Sequence, residues 1–221
     1  ERHKALPDTL LRTRSYLTDT LQKYGYTVVE HPFEDGVNLI AELPATSKEL
    51  IVVGAHFDTV PGSPGANDNG SGIAALLELA RLLRDTQPGK RIRFVAFDNE
   101  EHVGQPATAM GSYAYAQLCR ARQEQIVGMW ALETLGYFCA EANSQKYPQP
   151  FDLFYPTVGN FVAFVGNDAS RNWVRKSVST FRQLRKFPAE GVAAPAKFAD
   201  INRSDNWGFG QAGYPALMVT D

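Results

Sequence analysis

One histidine and several carboxylates stand just past apolar runs of this chain. His56 and Asp58 close IVVGA (51–55), Glu100 and Glu101 follow RIRFVAFDN (91–99), and Glu133 ends IVGMWAL (126–132). Asp68 lies in a Gly/Pro/Asn loop, TVPGSPGANDNGSG (59–72), just before a helical pattern. Each feature alone is weak. His-x-Asp pairs are mostly surface residues, and adjacent glutamates usually make a solvated turn. Asp-Asn-Gly is a turn signal, Asp68 or Ser71 could simply cap the following helix, and Glu133 could pair with an arginine. Their co-location carries the weight: in open α/β sheets ligands bind beyond the carboxyl ends of strands, so three strand ends in succession aim metal-competent groups at one place.

Zinc suits such a donor set, since it accepts imidazole nitrogen and carboxylate oxygen. Two ions about 3.5–4 Å apart, bridged by one carboxylate, make a cocatalytic hydrolytic centre, and a bound metal lowers the pKa of water to about 7. A carboxylate that is not a ligand then shuttles the proton. Glu100 and Glu101 supply both jobs, because successive side chains of an extended segment point in different directions. Histidine is scarce: His3, His31, His56 and His102 are all there are, and residues 103–221 contain none.

These groups need a sheet to position them. A helix is expected over 9–25, with Asp8 as its N-cap and Gly25 as its stop. Strands are expected at 26–31, 37–43, 49–56, 91–97, 126–132, 161–166 and 214–221, and helices at 72–86, 107–122, 170–184 and near 205–211, with a Pro/Ala/Gly-rich loop over 187–200. IVV and FVAF are apolar on both faces, which argues for a largely parallel sheet covered on both sides, while the short turn between the first two strands makes them antiparallel. The expected architecture is a three-layer α/β/α sandwich around a mixed, mostly parallel sheet, one domain over 1–221. The last strand has no helix after it, so the domain is expected to continue past Asp221.

Composition removes several function classes. The chain has 221 residues, 44% apolar and 21% charged, and a net charge of −2. Disorder would need fewer apolar residues and more net charge. No basic excess exists to neutralise a phosphate backbone, so no nucleic-acid partner is expected. The longest apolar runs, such as IAALLELARLL (73–83), are interrupted by charge before 18 residues, so no membrane span is expected. Cys119 and Cys139 either pair or remain thiols. ERHKALPD lacks a signal-peptide pattern, which a processed chain would also lack.

VVGAHFDTVPGSPGANDNGSGIAALLELARLL (52–83), FVAFDNEE (94–101), ALETLGY (131–137) and SDNWGFGQAGYPALMVTD (204–221) resemble, in order and spacing, the zinc exopeptidase family of bacterial leucyl aminopeptidase, metallopeptidase family 28. Glutaminyl cyclase and the transferrin receptor ectodomain are relatives. The resemblance implies that His56, Asp68 and Glu133 bind one zinc, that Asp68 bridges to a second held also by Glu101, and that Glu100 is general base and then acid. It implies that Asp58 orients the His56 imidazole, with Asp205 in support behind the ligands. The implied substrate is a peptide losing its N-terminal residue, and the implied location is secreted or periplasmic; oligomeric state is left open. Tyr137 and Phe138, just after the Glu133 strand end, are the expected substrate-pocket residues, whereas the aromatic stretch 147–164 is expected to pack on the core.

The chain departs from the family in three places. The family's second zinc takes a further His from a segment after the strand matched by PALMVTD; none follows His102, and His102 itself adjoins Glu101 and is expected to point elsewhere. The family's Ser-Asp-His reads Ser204-Asp205-Asn206, and Ile201 stands where some relatives carry a tyrosine. A glutaminyl cyclase-like enzyme with one zinc is therefore one alternative, and a non-catalytic interaction module on the same fold is another. HFDTVP (56–61) would also suit a larger exopeptidase/deacylase group. That group places its next ligand aspartate much farther from the histidine than the 12 residues separating His56 and Asp68.

Overall fold

A computed structural model describes all 221 residues, the side chain of Ala199 excepted. Five α-helices and eight strands follow in the order α1 (Pro7–Lys23), β1 (Val28–Phe33), β2 (Gly36–Leu43), β3 (Leu50–His56), α2 (Gly70–Leu83), β4 (Arg91–Phe97), α3 (Gly111–Ala121), β5 (Ile126–Leu132), β6 (Val162–Asn167), α4 (Arg171–Leu184), β7 (Ala189–Ala194), α5 (Asn206–Gln211) and β8 (Ala216–Thr220). The strands form one mixed sheet in the order β1-β2-β4-β3-β5-β8-β6-β7. β4, β3, β5 and β8 run parallel to their neighbours in this central block, while β1–β2, β2–β4 and β6–β8 pair antiparallel.

Strand periodicity sorts the core into layers, because successive side chains point to opposite faces. Val53, Ala55, Phe94 and Ala96 face Leu17 and Leu21 of α1 and Leu76, Leu77 and Ala80 of α2. Their alternates Val52, Val95, Phe97, Met129 and Ala131 face Tyr115 and Cys119 of α3 and Phe209 of α5. α4 covers Phe164 and Leu217 through Val174, on the α1/α2 side that Trp130 shares. The result is the expected sandwich: helices α1, α2 and α4 on one face, α3 and α5 on the other.

The structure departs from the sequence expectation in several places. Leu6, not Asp8, is the N-cap of α1: Pro7 occupies the first helical turn, where its missing N–H costs nothing, and Asp8 becomes a first-turn acid facing the positive end of the helix dipole. Neither Asp68 nor Ser71 caps α2; Asn69 does, accepting from the Gly72 amide at 3.1 Å. The helix expected over 107–122 is a 3-10 turn at Ala107–Ala109 followed by α3 from Gly111. The loop expected over 187–200 contains β7, whose small residues hide its period-2 pattern and which takes its order from pairing with β6. β8 is an inner strand between β5 and β6, and α4 covers its Leu217 face.

Candidate metal centre

The parallel block ends its strands at one edge. His56 is the last residue of β3, Glu100 and Glu101 lie three and four residues past β4, and Glu133 follows β5 directly. Asp68 reaches the same edge from the loop before α2. Asn69, fully buried, makes that possible. Its side chain donates to the Leu132 carbonyl (2.8 Å) and accepts from the amides of Gly72 and Thr134 (both 3.1 Å), fastening the start of α2 to the end of β5. The peptide bond between Asp68 and Asn69 is cis.

His56 is 1% exposed and ringed by acids. Its Nε2 lies 3.3 Å from Asp68 Oδ1, 3.2 Å from Glu133 Oε2 and 4.0 Å from Glu100 Oε2, and its Nδ1 is 3.4 Å from Asp58 Oδ1. Burial alone would lower the His56 pKa; the surrounding carboxylates outweigh it and hold the imidazole well above its ordinary value. His56 lowers the Asp68 pKa in return. Glu100, 7% exposed, is pushed well above the carboxylate range by burial, with the charges of Asp205, Glu133 and Asp58 adding to the effect and His56 opposing it. Burial and then Asp68 raise Glu101 in the same way.

Asp58 does two things. It faces the His56 ring, and its two oxygens accept from the amides of Glu100 (3.0 Å) and Glu101 (3.1 Å), so one carboxylate ties the β3 end to the β4 loop. Asp205 is 1% exposed with neither oxygen hydrogen-bonded, and burial raises its pKa to about 7. Its neighbour Ser204 donates to Glu133 Oε2 at 2.6 Å.

Among the described residues, one group of three donors is close enough to share a cation: His56, Asp68 and Glu133, whose ligand atoms lie within 4.8 Å of one another. Metal–ligand distances of about 2.0–2.2 Å at the corners of a tetrahedron place donors roughly 3.3–3.6 Å apart. The observed 3.2 and 3.3 Å separations are close to that spacing, and a cation there would offset the repulsion among the carboxylates gathered around one imidazole. Glu101 lines the same cavity but is outside that donor group. His102 turns back onto the Glu100 carbonyl through Nδ1.

A cavity of about 450 Å³ opens beside these residues. Its apolar walls come from Phe151, Phe161, Val165, Ile201 and Met218. Tyr137 and Phe138, the substrate-pocket residues expected from the sequence, are not on these walls. Tyr137 is fastened to the loop that follows β5, its hydroxyl toward the Ser144 carbonyl, and Phe138 packs on Phe187, so both rings stand exposed outside the cavity. The aromatic stretch expected to pack on the core does so through Phe161 and Phe164, and it also supplies cavity wall through Tyr147, Phe151, Tyr155 and Phe161. Pocket and core share one composition, and only packing separates them.

Sequence reasoning missed Asn69 and Ser204. A residue of cap type three positions before Gly72 was a legible signal for Asn69. Nothing local marks Ser204, whose partner lies 71 residues away. If Ser204 holds the Glu133 carboxylate in ligand orientation, Ser204→Ala is expected to weaken zinc binding about 10–100-fold, the usual cost of losing a hydrogen bond behind a metal ligand; chelator competition measures it.

Strand-end His, Asp and Glu donors on an α/β/α sandwich make a centre suited to a divalent metal. Residues 38–221 match the model of peptidase family M28, most of the chain, and the protein belongs to that family. It is 32% identical to the uncharacterized protein YfbL of Escherichia coli (strain K12) over 97% of its own length and 69% of that protein. Among solved structures it is similar to BSAP, a zinc aminopeptidase from Bacillus subtilis, with a TM-score of 0.62 and 25% identity, covering 84% of this chain and 40% of that one. It shares its fold with a glutaminyl cyclase of Bacteroides thetaiotaomicron, with a TM-score of 0.67 and 19% identity over 95% of this chain and 75% of that one. The chain thus spans less than half the length of BSAP.

Proposed function

We propose that this chain carries the centre of a zinc-dependent aminopeptidase that removes N-terminal residues from peptides. The observation that carries the reading is the convergence of His56, Asp68 and Glu133 at donor spacing, with buried Glu100 4.0 Å from the same imidazole nitrogen. His56, Asp68 and Glu133 would hold one ion; Asp68 shared with Glu101 would hold the second. Asp68 lies near enough to Glu101 for its charge to add to the rise that burial causes in the Glu101 pKa. When bound, zinc lowers the pKa of water to about 7 and polarises the scissile carbonyl.

The chain's own residues do the rest. Asp58 holds the Glu100 and Glu101 amides, so the two side chains keep a fixed relation to His56. Glu100 takes a proton from the attacking water and returns it to the leaving amine. Burial raises its pKa, the direction that suits a group that must accept and then donate a proton. The apolar wall of Phe151, Phe161 and Met218 receives the N-terminal side chain.

Dialysis against a chelator followed by metal readdition tests the reading. Zinc measured by atomic absorption and hydrolysis of an N-terminal leucyl anilide are expected to fall together and to return together; full activity in metal-free protein overturns it. A second reading, a single-zinc glutaminyl cyclase, is favoured by the single three-donor group among the described residues. Loss of ammonia from an N-terminal Gln peptide, followed by mass spectrometry, with no cleavage of the leucyl anilide, would select it.

A further inference from the structure

The loop between β3 and α2 carries Asp58 at one end and Asp68 at the other, and its Gly/Pro-rich middle has few side chains with which to fix its own shape. Arg2 spans it. The guanidinium donates to three loop carbonyls: Phe57 through Nε (2.6 Å), Pro64 through Nη1 (3.0 Å) and Gly65 through Nη2 (2.9 Å). The Arg2 backbone makes two further bonds to Thr59, donating to its hydroxyl and accepting from its amide, each at 2.8 Å. The Gly65 carbonyl also accepts from the amide of Gly70, the first residue of α2, at 3.0 Å. A chain of hydrogen bonds therefore runs from Arg2 to both flanks of Asp68.

Gly65 shows how tightly the parts meet. Its φ is +67°, and a Cβ there would collide with Thr59, the Arg2 guanidinium and the Asp68 carbonyl. Burial lowers the Arg2 pKa, and the charges of Asp58 and Asp68 work against that effect, which places the cation near both carboxylates.

We propose that Arg2 is a positioning residue of the metal centre, its fork on the Phe57, Pro64 and Gly65 carbonyls holding the loop so that Asp58 and Asp68 face His56. Arg2 reaches none of the donor atoms; it acts through the backbone that carries the donor Asp68 and the supporting Asp58. The planar guanidinium suits the site because it reaches the three carbonyls from three separate nitrogens, whereas a lysine ammonium carries all its donors on one atom. The proposal rests on the metal-binding reading above.

Zinc affinity of purified wild-type, Arg2→Ala and Arg2→Lys proteins, by competition with a chelator of known affinity, tests it. Thermal melts with and without zinc accompany the titration. Both variants are expected to bind zinc at least tenfold more weakly, and the rise in Tm on adding zinc is expected to shrink in both. Equal affinity in wild type and Arg2→Ala overturns the proposal even if the metal-free Tm falls, since that fall alone marks a purely structural role. Full recovery by Arg2→Lys also overturns it, because charge without the fork would then suffice. If Arg2→Ala does not fold, Thr59→Val removes one bond of the same clamp, and a severalfold loss of zinc affinity is expected. A wild-type protein that takes up no zinc overturns both this proposal and the metal-binding reading.

Discussion

Glu100→Gln is expected to lower kcat on an N-terminal leucyl substrate by about 10²–10⁴-fold, the range a positioned general base contributes, while zinc content stays at the wild-type level. Glutamine keeps the size of the side chain and removes only its charge and its ability to take a proton. Glu100 is buried among like charges that already disfavour its ionised form, so the substitution leaves no cavity and relieves repulsion. The metal-free Tm is therefore expected to stay level or rise. A variant that retains kcat within threefold of wild type removes Glu100 from proton transfer. One that loses zinc along with activity moves Glu100 into the ligand set instead.

Asp68→Ala is expected to have the larger effect on metal binding and the smaller one on folding. Asp68 is one of the three donors and the one proposed to be shared between two ions, so its removal is expected to weaken zinc binding by more than a hundredfold and to reduce activity to background. Its side chain is 53% exposed, and no close-packed core forms around it. Its loss also relieves repulsion with Glu101, so the metal-free variant is expected to melt within a few degrees of wild type. The same measurement on His56→Ala would mix the two effects, because that imidazole is 1% exposed and its removal leaves a hole. Undiminished zinc affinity in Asp68→Ala would mean that the cation site, if any, lies elsewhere.

Much of the fold was legible because its elements carry strong local signals. The helix at α2 repeats apolar residues at helical spacing, and β3, β4 and β5 are short apolar runs bounded by turn residues, so their positions follow from period and punctuation. β7 was missed because Ala189–Ala194 is built of small residues whose strand character comes from a neighbour rather than from itself. The N-cap of α1 was misassigned because Asp8 has the right chemistry for a cap and also for the first turn, and Pro7 decided between them.

The residue types in their order and spacing were enough to single out His56, Asp58, Asp68, Glu100, Glu101 and Glu133, since they stand at strand ends and loop ends that any α/β sheet must bring to one edge. Tertiary structure decided how they meet. It selected His56, Asp68 and Glu133 as the group at donor distance, gave Asp58 its grip on two amides, and brought Ser204 to Glu133 from across 71 residues. It also put Tyr147 and Phe151 at the cavity and Tyr137 and Phe138 outside it. The physical reason is one of range. Helix and strand periodicity, caps and turns act over a few residues and are written along the chain. Hydrogen bonds between distant loops, and the difference between an apolar wall and an apolar core, depend on which surfaces are pressed together once the sheet has formed.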